Sequence, residues 1–200
     1  MTEARESFDQ VKRQARACRV CQPFFDHPCR PIVRGTANSL IRIISQAPGA
    51  TAQALDEPFR DPSGVRLRAW LGMSEAEFFD EDIVAITPVG FCYPGHHKGT
   101  DKPPRPECAP LWQARCDAAL TRVRLTLLIG AHAQRWGLRE RAAKPLTEIV
   151  AQWKTHPAHL AALPHPSGRN TVWLARNPWF EQDVLPTLRQ RIRSILDGRD

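Results

Sequence analysis

The chain is 200 residues long, enough for one domain with a hydrophobic core of its own. Its 28 Lys+Arg against 21 Asp+Glu give a net charge of +7, which suits an anionic partner, nucleic acid being the commonest. No apolar run approaches the roughly 20 residues of a membrane span, and the charged start Met1-Thr2-Glu3-Ala4-Arg5-Glu6 lacks the apolar core of a secretory leader.

A cytoplasmic location is therefore expected, where six cysteines serve as metal ligands or buried thiols rather than disulfides. Phe8, Val11, Ala15 and Cys18 recur at helical spacing and predict an N-terminal helix that delivers the chain to Cys18-Arg19-Val20-Cys21. A first apolar strand, Leu40 to Ser45, closes on the turn Ser45-Gln46-Ala47-Pro48-Gly49. A long connection from Pro48 to Ser63 follows, then a helix over Val65 to Leu71 and a second strand over Ile83 to Phe91. Another long connection, Pro94 to Pro110, lies between Cys92 and a helix over Ala109 to Val123. Then come a strand over Leu125 to Ile129, helices over Ala131 to Leu138 and Leu146 to Trp153, and a strand over His159 to Leu163. The last strand ends in the turn Pro164-His165-Pro166-Ser167-Gly168-Arg169-Asn170. After Asn177-Pro178, a good helix start, Val184, Leu185, Leu188, Ile192, Ile195 and Leu196 form one apolar face.

The alternation of strand and helix predicts an α/β fold: a three-layer α/β/α sandwich in one domain over residues 1–200. Near-continuous apolar strands suit a parallel sheet buried on both faces. Many of the 18 prolines fall in the two long connections, which both leave the carboxyl ends of predicted strands. That is the side on which open α/β sheets bind ligands.

Two groups of residues carry chemistry. A C-x2-C loop such as Cys18–Cys21 holds two thiolates on one metal or cluster, and Cys92 and Cys108 bracket the second proline-rich loop. Cys29 is a substitute ligand, and Cys116, inside a helix, is a buried thiol. The second group is the turn at His165, which sets a histidine at the end of an apolar run beside a basic-polar tip. Such a turn grips a polar group next to a phosphate-bearing backbone. Its alternative is a turn histidine bonded to backbone. His96, His97, Lys98, Lys102 and Arg105 form a cationic rim or simply a solvated loop.

Taken together, an N-terminal C-x2-C, an Ala-Pro-Gly turn after the first strand, Pro58-Phe59, the fifteen-residue spacing of Cys92 and Cys108, and a terminal His165-Pro166-Ser167 resemble the uracil-DNA glycosylase superfamily, especially its iron–sulfur branch. The resemblance implies a central four-stranded parallel sheet and a DNA-binding cleft at the strand ends. It also implies a 4Fe–4S cluster on Cys18, Cys21, Cys92 and Cys108, a structural zinc on the same thiolates being the alternative. The activity implied is monofunctional hydrolysis of the N-glycosidic bond of uracil or a related deaminated base. The alternative is a non-catalytic binder on the same fold.

The implied base pocket comprises Gln46, Ala47, Pro48, Gly49, Phe59, Thr87 and Pro88, with Phe59 as the platform for the flipped base. His165 donates to the departing base, and Ser167, Gly168, Arg169 and Asn170 contact DNA. The partner is DNA carrying a damaged or deaminated base, met by a monomer away from any membrane. The chain departs from the pattern twice. Its first turn has Gln46 and Ala47 where relatives carry Glu or Asp, and a neutral amide cannot take a proton from water. Pro88 stands where the iron–sulfur branch has an asparagine that reads the uracil amide edge. Asp61 is the expected substitute acid, with helix capping as its alternative role.

Overall fold

The computed structural model describes residues 6–139 and 144–198. The first helix, α1 (Phe8–Arg16), opens on a capping box. The Ser7 hydroxyl accepts from the Gln10 N–H, and the Gln10 side chain accepts from the Ser7 N–H. Four strands follow in the chain: β1 (Ile41–Ile44), β2 (Val84–Ile86), β5 (Leu125–Ile129) and β6 (Leu160–Leu163). They form one parallel sheet in the order β2-β1-β5-β6. Between β1 and β2 lie α2 (Ala50–Leu55), α3 (Pro62–Leu71) and α4 (Glu75–Phe79). Between β2 and β5 lie a small hairpin, β3 (His96–His97) with β4 (Thr100–Asp101), and α5 (Cys108–Ala119). The remaining helices are α6 (Gly130–Leu138), α7 (Leu146–Ala151), α8 (Thr171–Arg176) and α9 (Leu185–Leu196).

Strand side chains alternate between two cores, as the pleat requires. Ile41, Ile43, Val84, Ile86, Leu125, Leu127 and Ile129 pack with Leu67 and Trp70 of α3, Val150 of α7, and Leu188 and Ile192 of α9. On the opposite face Ala85 joins Phe8 and Val11 of α1 and Trp112 and Cys116 of α5, while Ile44 and Leu128 meet Ala133 of α6. Helices therefore cover both faces, which makes this the three-layer α/β/α sandwich that the alternation predicts. No helix among the described residues is long and apolar enough to cross a membrane.

The differences from the predicted elements have local causes. The second strand stops at Ile86 rather than Phe91, because Pro88 has no N–H for the ladder. The chain nonetheless stays alongside the first strand: Val89 N–H donates to Ser45 O at 2.8 Å and Gly90 N–H to Gln46 O at 2.9 Å. Neither long connection is bare, since one contains α2 and the other the β3–β4 hairpin. The predicted helix over Leu146 to Trp153 ends at Ala151 and resumes as a single 3₁₀ turn. The terminal helix opens as a wide π turn over Phe180–Val184, which accommodates Pro186 in the first turn of α9.

Candidate active site

The sheet order reverses at β1, which pairs with β2 on one side and β5 on the other. A cleft of about 580 Å³ opens at the carboxyl ends of the strands there, as expected of a topological switch point. Its walls come from the turn 45–49, the loop 58–63, Pro88, the β3–β4 hairpin and the His165 turn. Segments far apart in sequence thus meet in one concavity.

His165 is placed by contacts on every side. Gly130, at φ +83° where β5 becomes α6, leaves room for it: a β-carbon there would stand 3.3 Å from His165 Cβ. Buried Gln134 donates to Leu163 O at 2.9 Å, Asn170 Nδ2 to His165 O at 2.6 Å, and Arg66 to Pro166 O at 3.3 Å and Ser167 O at 3.0 Å. The Ser167 N–H donates to His165 Nδ1 at 3.3 Å. A backbone amide can only donate, so this bond assigns Nδ1 as the acceptor and puts the ring proton on Nε2. Burial lowers the His165 pKa, against the opposing fields of Asp61 and Asp101, so the neutral tautomer is the favoured one. Of the predicted DNA-binding residues, Ser167, Arg169 and Asn170 line the cleft. Gly168 opens a 3₁₀ turn beside them, and Arg169 donates across to Gly99 O at the hairpin tip.

Phe59 faces the same cleft from a left-handed backbone, φ +63°. Its ring meets Phe78 edge-on at 5.9 Å, and its carbonyl accepts from Arg68 at 3.0 Å. The sequence Asp61-Pro62-Ser63-Gly64 explains the strain. A β-carbon on Gly64 would lie 1.7 Å from Phe59 O, so the helix start can press against that residue only as glycine. Held φ > 0 at a bulky residue is the kind of local strain that gathers at functional sites. Asp61 caps α3, its Oδ1 accepting from Gly64 N–H at 3.1 Å. Asp61 and Asp101 are the two carboxylates among the described residues that line the cleft. Glu57, from the same loop, is bound by Arg34 and Arg60.

Gln46, Ala47, Pro48 and Gly49 form the wall contributed by the first turn, and Pro88 stands opposite them. Thr87 is fully buried behind that wall rather than in it. Its hydroxyl accepts from Arg42 Nε at 2.8 Å. Buried Gln113 of α5 donates to Thr87 O at 3.1 Å and Pro88 O at 2.7 Å and accepts from Arg42 Nη2 at 2.7 Å. Arg42 also bonds Asp117. The Pro88 carbonyl is therefore already engaged from behind.

The family model of the uracil DNA glycosylase superfamily matches residues 33–189. The chain belongs to this superfamily. The match spans all four strands of the main sheet and every wall of the cleft.

The cysteines gather outside the start of the region matched to the superfamily as well as within it. Cys18, Cys21, Cys29, Cys92 and Cys108 line one small pocket with Phe91, Leu111 and Trp112. The four predicted ligands are thus brought together, and Cys29 joins them as a fifth sulfur. Burial, then the neighbouring Cys29 and Cys108, pushes the Cys92 thiol far up. Burial takes Cys108 up to about 12, although the Phe91 N–H donates to its Sγ at 3.2 Å. Among the described residues no group of three His, Cys, Asp or Glu could hold a metal ion. Cys116 is fully buried within α5, as its helical position implies.

Arg66, Gly130, Gln134, Arg42, Gln113 and Asp101 all shape the site, and the sequence marks none of them. Each acts across a fold-level contact that spacing does not reveal. Of the expected cationic rim, Arg105 is committed elsewhere: it pairs with Glu107 at 2.6 Å and covers the Phe24 ring at 3.9 Å.

Proposed function

We propose that the protein is a monofunctional DNA glycosylase that hydrolyses the N-glycosidic bond of uracil or a related deaminated base. The observation that carries this reading is His165 lining the same cleft as Phe59, with its Nδ1 taken by the Ser167 N–H, which leaves the ring proton on Nε2. In the proposed reaction a nucleotide is extruded into the cleft and its base stacks on Phe59 against the turn 46–49. His165 donates to the base oxygen on which negative charge grows as the bond to the sugar breaks, a preorganised oxyanion contact. Asp61, with one oxygen on the helix cap, sets negative charge near the developing sugar cation. Ser167, Gly168, Arg169 and Asn170 take the flanking phosphates. Among the described residues no lysine lines the cleft, which supports hydrolysis by water over a Schiff-base route.

Pro88 supplies no donor, and its carbonyl is engaged by Gln113. This supports a pocket that tolerates hypoxanthine or another deaminated base beside uracil. For the cysteine pocket, burial raises the thiols of Cys21, Cys92 and Cys108, and a cationic centre would stabilise their thiolates. The centre proposed is a 4Fe–4S cluster on Cys18, Cys21, Cys92 and Cys108, with a structural zinc on the same thiolates as the alternative. Such a cluster would cross-link the N-terminal segment to the loop before α5. The absence of an acid at Gln46 and Ala47 favours a second reading, a non-catalytic lesion binder.

The test is base release by anaerobically purified protein from oligonucleotides carrying uracil, hypoxanthine, xanthine or mismatched thymine, with abasic sites revealed by alkali. Release of one or more of these bases supports the glycosylase. Salt-sensitive binding with no release from any of them supports the binder.

A further inference from the structure

We propose that Asp101 is the carboxylate that activates the attacking water. The inference rests on the glycosylase reading and supplies the step for which the first turn has no acid. Asp101 lies more than fifty residues beyond that turn, yet the hairpin carries its side chain back against it. A β-carbon built on Gly49 would stand 3.5 Å from Asp101 Oδ2. The carboxylate thus reaches the very turn in which Gln46 and Ala47 replace an acid.

The hairpin is built to hold it there. Lys98 and Gly99 both have positive φ, 46° and 78°, the signature of a two-residue type I′ turn. His96 and Asp101 are paired across the hairpin, and His96 Nδ1 stands 3.2 Å from Asp101 Oδ1. Burial, then the nearby Asp101 carboxylate, raises the Tyr93 hydroxyl's pKa. The Lys102 N–H closes the base of the hairpin on Gly95 O at 2.9 Å, and Arg169 ties its tip to the His165 turn. Oδ1 is thereby oriented by His96, a positioning residue, while Oδ2 faces Gly49 of the first turn and the residue lines the cleft. Asp61, by contrast, has an oxygen committed to the start of α3.

In the step assigned to it, a water oxygen forms a bond to the anomeric carbon. The bond from that carbon to the base nitrogen breaks, and its electron pair leaves with the base. Asp101 accepts the proton that the water loses and later returns it to solvent or to the departed base. His165 keeps its own proton and stabilises the leaving anion by hydrogen bonding.

The experiment compares wild type, Asp101→Asn and Asp61→Asn under single-turnover conditions on the best substrate found. Asparagine keeps the shape and the hairpin contacts of Asp101 but cannot take a proton. D101N is expected to lower the rate constant of base release by about 10²- to 10⁴-fold, as for loss of a general base, with substrate affinity within about threefold of wild type, the pattern of an interaction made only in the transition state. A D101N rate within about threefold of wild type overturns the inference.

A second readout does not depend on turnover. Wild type should bind DNA with a positively charged pyrrolidine in place of one sugar more tightly than DNA with a neutral tetrahydrofuran there, and D101N should lose most of that preference. If wild type releases no base at all, the glycosylase reading fails, and the affinity ratio still decides on Asp101. A ratio unchanged by D101N overturns its placement at the reacting carbon, and a ratio that collapses supports it.

Discussion

Replacing Gln113 by leucine should loosen the wall of the base pocket from behind. The Gln113 amide makes three buried hydrogen bonds, two to the carbonyls of Thr87 and Pro88 and one from Arg42, whose side chain is itself only 4% exposed. Leucine fills a similar volume, so no large cavity contributes. It leaves two carbonyls and one guanidinium N–H without partners, at about 1–3 kcal/mol for each buried group. Thr87 and Asp117 continue to hold Arg42, so the sum falls near the lower end, about 3–5 kcal/mol. Urea unfolding followed by far-ultraviolet circular dichroism should show a lower midpoint at constant slope. Combining Q113L with Arg42→Met removes both sides of the network. The double variant should be less destabilised than the sum of the singles, with a coupling of about 1–3 kcal/mol. A Q113L loss below about 1 kcal/mol, or strict additivity with R42M, would refute the claim that this network holds the Pro88 wall.

His165→Ala should lower kcat about 10²- to 10³-fold with little change in DNA affinity, measured by single-turnover base release. Burial holds the His165 pKa below its ordinary 6.5, so the unfolded chain takes up this proton first. The contribution of this site to stability is full above about pH 6.5 and declines as pH falls through the lowered folded-state value, a decline that urea titrations should find missing in H165A. The Arg193 guanidinium, helped by the Ser74 N–H and hydroxyl, holds the Glu77 carboxyl down to about 2 from an ordinary 4.5. This stabilisation is complete above about pH 4.5 and lost as pH falls towards 2. Since both side chains are partly exposed, Glu77→Gln should cost about 1 kcal/mol at neutral pH and nothing near pH 2. Protein purified without oxygen should carry iron and acid-labile sulfide. Cys108→Ser should remove both and Cys116→Ser neither, whereas zinc in place of iron would contradict the cluster assignment.

The strands that build the sheet are legible because each is a short, apolar run followed by a turn residue that ends it, as at Pro48 and Pro164. The cleft is legible at its two turns, where His165 and the segment 46–49 carry their chemistry in consecutive residues. Thr87 shows the limit of such reading. Its place next to Pro88 puts it in the pocket by position, but the strand pleat turns its side chain to Arg42 instead. The same limit hides Asp101, which is remote in sequence and reaches the first turn only because Lys98-Gly99 reverses the chain. Cys29 is a similar case: it has no paired spacing in sequence, and only the path of residues 22–33 brings it to the other four thiols. Asp61 takes the capping place expected of it at the start of α3, and its side chain also lines the cleft.

The central claim is hydrolysis of one base with the DNA backbone left intact. Intact-mass spectrometry of a duplex carrying a single uracil, after incubation with wild-type protein, tests it most directly. The lesion strand should keep its full length and lose only the mass of the base exchanged for a hydroxyl, and the H165A protein should leave the strand largely unchanged over the same time. An unaltered strand with wild type for uracil and for every other deaminated base, while DNA binding persists, would contradict the account. A strand broken at the lesion without alkali would contradict its monofunctional chemistry.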